Sequence, residues 1–186
     1  MSKDFGSWEQ KIKVCLERGE ADLSELPWIS VFSDSSLEQV LNTARELTQS
    51  QNLDSANYKV VASEGISRKF IHDGKISDDF WFYNSLSQEE KRACWVFWTK
   101  EDADISTQEL ISTFDIHMFN NQKEVVNLYL TKVKGAPEKI VPPIVNELSE
   151  FINFESYIKN RIKVSDFKVI AEEDSSIYVF SRKNLL

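Results

Sequence analysis

Residues 76–134 read ISDDFWFYNSLSQEEKRACWVFWTKEDADISTQELISTFDIHMFNNQKEVVNLYLTKVK, a stretch holding three of the five tryptophans. Two dense apolar runs stand out in it, Phe80-Trp81-Phe82-Tyr83 and Cys94-Trp95-Val96-Phe97-Trp98. Short runs with apolar side chains on both faces suit strands covered on both sides, and consecutive aromatics favour pleated backbone. We therefore expect strands at 80–83 and 94–100, the second of them central. Residues 113–119 alternate, with Phe114, Ile116 and Met118 opposed to Asp115, His117 and Phe119. Asn120 and Asn121 suit a hairpin turn, and 125–133 is expected to return as its second arm. The stretch thus predicts the antiparallel heart of a sheet.

The flanks read as cover. Trp8, Ile12, Cys15 and Leu16 fall at helical spacing, so a helix is expected over 7–18, capped by Ser7 and stopped at Gly19. Pro27 makes Leu26 extended, and 29–32 is a short strand candidate. Leu37, Val40, Leu41, Ala44 and Leu47 mark the clearest helix, 37–51, capped from Asp34, Ser35 or Ser36. A strand is expected at 58–62, and 63–75 suits either a short helix or a hairpin arm. Pro142 and Pro143 belong in the first turn of a helix whose buried face is Ile144, Val145, Leu148, Phe151 and Ile152. A further helical piece follows at 154–162. Strands at 167–171 and 177–182 flank a turn, EEDSS.

The expected class is α+β: a mostly antiparallel sheet of about six strands with three or four helices packed on it. A length of 186 residues fits a single domain. Its N-terminal helical part covers about 5–52 and its sheet-forming part about 58–186.

Glycine occurs only five times, and no pair of glycines has dinucleotide-fingerprint spacing. Phosphate cradles need glycine so that backbone amides can approach the anion. A Rossmann or P-loop enzyme is thereby disfavoured, and HExxH and CxxC are both absent. Lys plus Arg is 22 against 30 for Asp plus Glu, a net charge of −8. Such a field repels nucleic acid and attracts a basic partner. The first residues lack an apolar core of the secretory type, and no apolar run approaches the roughly 20 residues of a membrane span. A cytoplasmic protein without membrane contact is expected, with Cys15 and Cys94 as buried free thiols. No cofactor is expected.

Asp115 and His117 share a strand face and are candidate metal ligands; the simpler reading is a half-wet sheet face. Asp166-Phe167-Lys168 has the spacing of a metal-nuclease tail, at odds with the acidic charge. Glu147, Glu150 and Glu155 could serve as paired carboxylates for acid/base work; Glu147 and Glu150, three apart and off the apolar stripe, read most simply as the wet face of a helix. If the two aromatic strands pair, Asp78 and Asp79 meet Glu101, Asp102 and Asp104 at one end. With Trp81, Tyr83 and Trp98 as anchors, that rim is the expected protein-binding site. In character the chain is similar to bacterial immunity proteins and other inhibitors that occlude a basic toxin or enzyme. One alternative is a small-molecule or metal-dependent enzyme with a pocket on the sheet. Another is a secretion chaperone, which predicts a homodimer and an exposed apolar groove.

Overall fold

Ile12, Val14 and Leu16 alternate with Lys11, Lys13 and Cys15, and a period of two puts these aliphatic side chains on one face of a strand. The structure is a computed structural model that describes residues 10–16, 24–101, 103–162 and 166–183. It places β1 at Gln10–Leu16, with Ile12 and Val14 buried. The helix expected over 7–18 is thus corrected to a strand. Its proposed caps, Ser7 and Gly19, and Trp8 lie outside the described residues.

The chain divides into two compact units, one ending at Lys91 and the other starting at Arg92. In the first, β1 is the middle strand of an antiparallel sheet with β2 (Ile29–Val31) and β3 (Tyr58–Glu64). Helix α1 (Leu37–Thr48) begins at a capping box: Ser36 Oγ accepts from Gln39 N–H, and Gln39 Oε1 accepts from Ser36 N–H at 2.7 Å. It buries Val40, Leu41 and Ala44. Strands β4 (Ile71–His72) and β5 (Lys75–Ile76) form a hairpin turning through Asp73 (φ 49°) and Gly74 (φ 76°). Two successive positive φ values are what a two-residue hairpin of this hand requires. At Gly74 a Cβ would also meet Lys59 Cγ at 2.6 Å. Helix α2 (Asp78–Ser85) follows.

The unit boundary falls within α3 (Gln88–Glu101). The second unit continues with α4 (Thr107–Thr113), β6 (Phe114–Phe119), α5 (Gln122–Lys132), α6 (Val141–Glu147) and α7 (Phe154–Arg161). It closes with the hairpin β7 (Phe167–Ala171) and β8 (Ile177–Arg182). The antiparallel sheet order is β6-β8-β7. β8 is the central strand and is buried on both faces. Ile177 and Val179 pack with Val125 and Tyr129 of α5 on one side. On the other, Phe180 meets Phe97 of α3 edge-on at 4.8 Å.

Among the described residues the architecture is α+β, with seven α-helices and eight strands in three small antiparallel sheets of three, two and three strands. This corrects the expectation of one sheet of about six strands with three or four helices. The runs 80–83 and 94–100 lie in α2 and α3, and 125–133 lies mostly in α5. Doubly apolar runs fit a buried helix as well as a buried strand, and the residues that open each run favour the helix. Asp78 and Asp79 fill the first turn of α2, where carboxylates suit the free N–H groups, although Ser77 makes no side-chain capping bond. Ser87 Oγ accepts from Glu90 N–H, and Glu90 Oε2 accepts from Ser87 N–H at 2.9 Å, opening α3. Asn121 Oδ1 accepts from Glu124 N–H at 3.0 Å, so the expected hairpin turn is a helix N-cap. Of the expected elements, α1, β2, β3, β6, α7 and the closing hairpin stand where the sequence put them.

Among the described residues no helix is long and apolar enough to cross a membrane. Both cysteines are free, Cys94 buried and Cys15 half-buried.

Candidate functional site

The expected acidic rim rested on a strand hairpin that does not form, and its members fall in the two units. In the first unit Asp78 and Asp79 occupy the opening turn of α2, where carboxylates complement the unpaired N–H groups. Trp81 packs edge-on against Phe80 at 5.0 Å, and its buried indole N–H has no hydrogen-bond partner among the described residues. Tyr83 lies 5.0 Å from the Phe70 ring. In the second unit Trp98 is buried and its indole N–H donates to Ile105 O at 2.9 Å. Glu101 pairs with Lys168, Asp104 is exposed, and Asp102 lies outside the described residues.

Acidic residues of the second unit therefore serve the fold as well as the surface. Along α3 and the β7–β8 hairpin, Arg92 pairs with Asp174, Lys100 Nζ lies 3.4 Å from Glu172 Oε1, and Glu101 pairs with Lys168. Asp166 of the nuclease-like triplet is engaged by Arg182 Nη1 at 3.0 Å. The Arg92 hydrogen bond, with the Ser176 N–H at 3.0 Å behind it, lowers the Asp174 carboxyl to a pKa of about 2. A depressed carboxylate adds stability above its unfolded pKa and loses it as pH falls through the folded one. Wild-type protein is accordingly expected to exceed Asp174→Asn in stability at neutral pH. That margin should shrink as pH falls from about 4 toward 2, which thermal melts across the range will read. Because the pair is exposed, the margin is small, and a margin independent of pH would contradict this assignment.

His117 on β6 is half-buried and stacks on Phe119 with ring centroids 6.0 Å apart. Burial lowers its pKa, partly opposed by Asp115, and its buried Nε2 has no hydrogen-bond partner among the described residues. Among the described residues no group of three or more His, Cys, Asp or Glu is placed to hold a metal, so the Asp115–His117 pair gains no further ligand. A concavity of about 850 Å³ opens beside the start of α5, lined by Asn121, Glu124, Asn127, Asn146 and Phe154 among others. Neither Asp115 nor His117 lines it, and the Asn121 oxygen there is already spent as the helix cap.

The feature that sequence reasoning misplaced is on α6 and the 3₁₀ turn Leu148–Glu150 that extends it. Val141 and Val145 turn inward and pack with Val126 and Phe154. Ile144, Leu148 and Phe151, expected on the buried face, are instead exposed by 47%, 43% and 81%, and Ile140 by 52%. Spacings of four, four and three residues align Ile140, Ile144, Leu148 and Phe151 in one stripe. Glu147, three residues after Ile144 and four before Phe151, lies in the same stripe, and Glu150 lies one turn on from it. Both carboxylate residues are exposed. The signal was legible: the segment carries more apolar residues than one helix face can bury, with a carboxylate among them.

No protein-family model matches this chain, and no curated protein or solved structure does either.

Proposed function

We propose that the chain is an acidic protein-binding module that works by occluding a basic protein partner. One observation carries the reading: an exposed apolar stripe shares its helix face with carboxylates, in a chain of net charge −8. Exposed apolar surface of this kind is what buried contact rewards. The surrounding negative charge speeds encounter with a positive partner and rejects nucleic acid. An immunity-type inhibitor of a basic toxin or enzyme is the form of this function that the charge favours.

The test is capture from a lysate of the source cell on immobilised protein, with stepwise salt elution. The expected result is stoichiometric retention of a protein of high isoelectric point that is released as salt rises. Retention of nothing basic, at low salt and over repeated preparations, would contradict the proposal. So would release that ignores salt.

A further inference from the structure

We infer, building on the basic-partner reading, that α6 and the 3₁₀ turn after it form a docking site for an amphipathic helix of the partner, with Lys or Arg beside its apolar stripe. The stripe from Ile140 to Phe151 runs roughly 16 Å at helical rise, about three turns. That length matches a helix laid along it, whose own side chains would sit between the knobs at Ile140, Ile144, Leu148 and Phe151. Phe151 is the anchor: it is the most exposed of the large hydrophobic residues among the described ones, and an aromatic ring loses little entropy when a partner covers it. Glu147 stands within the stripe and Glu150 beside it. An apolar occupant without cations would bury these carboxylates unpaired, whereas Lys or Arg at matching positions would pair with them.

The same charges argue against two other occupants. A second copy docking about a two-fold axis along the stripe would set Glu147 and Glu150 against their own images. Helices that lie in a lipid surface border their apolar face with Lys and Arg; here Lys139 stands only at the start of the stripe, while Glu147 and Glu150 stand in and beside it, and an anionic membrane repels them.

The probe is a Leu/Lys amphipathic peptide of about four helical turns, titrated into the full chain by calorimetry, beside a Leu/Glu peptide of the same pattern. The wild type should bind the Leu/Lys peptide saturably at one site and ignore the Leu/Glu peptide. The double variant Ile144→Asp/Phe151→Asp should weaken binding by at least about tenfold. Glu147→Lys should weaken it severalfold and flatten its salt dependence. All three positions are exposed, and circular dichroism checks that each variant keeps its helices. Equal affinity in wild type and double variant overturns the site. So does self-association of the wild type that the double variant abolishes, or binding to phosphatidylserine vesicles in place of the peptide. In the lysate capture, retention of a basic protein by wild type and double variant alike overturns this site alone. Absence of retention by either overturns the basic-partner reading itself.

Discussion

Phe80→Ala is expected to destabilise the first unit by about 3–5 kcal/mol, the range for emptying a buried aromatic site. Phe82→Ala, two residues on, is expected to cost no more than about 1.5 kcal/mol. The contrast follows from helical geometry. Phe80 is fully buried, meets Phe70 at 5.6 Å and Trp81 at 5.0 Å, and leaves a cavity when truncated. Phe82 is 36% exposed on another side of α2. In a strand the two rings would share one face, and their losses would be alike. Urea unfolding followed by fluorescence and circular dichroism reads both values, and equal losses would restore pleated backbone to this stretch.

In the second unit Phe180→Ala is expected to cost about 3–5 kcal/mol as well. Phe180 is fully buried on the central strand β8, and its ring lies 4.8 Å from Phe97 and 6.4 Å from Phe114. Aromatic pairs of this geometry add about 0.5–1.5 kcal/mol beyond the area they bury. The neighbouring rings belong to α3 and β6, so truncation loosens the helix from the sheet instead of merely thinning one layer. Phe180→Leu keeps most of the volume and should recover about half of the loss. A Phe180→Ala loss below about 1 kcal/mol would show that α3 does not seal this face.

How much could be read from the chain alone depended on whether each segment carried one signal or two. Around 37–48 the apolar spacing and the Ser36–Gln39 box agree, and the helix stands where expected. Residues 177–182 form a short apolar run rich in β-branched and aromatic residues after the EEDSS turn, and β8 stands there too. At 80–83 and 94–100 aromatic content favoured a strand, while the first-turn carboxylates and the Ser87–Glu90 cap favoured a helix. The helix won, and Cys94, Phe97 and Trp98 lie buried together on one face of α3. Residues 10–16 show the converse. Helical spacing drawn through Trp8, Ile12 and Cys15 masked a plain alternation at 12, 14 and 16, and the strand is fixed by pairing with β2 and β3 far along the sequence. The hairpin that was to bring the two acidic clusters together does not form, because both of its arms are helices. The exposed stripe needed burial to be seen, because Val141 and Ile140 are alike as letters and differ only in what covers them.

Isotope-labelled protein titrated with the Leu/Lys peptide, followed by backbone amide shifts, tests the α6 face against every other surface in one experiment. Saturable shifts concentrated in residues 140–151, with Phe151 among the largest, are the predicted result. Shifts centred instead on the opening turns of α2, or spread evenly over the exposed carboxylates without saturating, would contradict it.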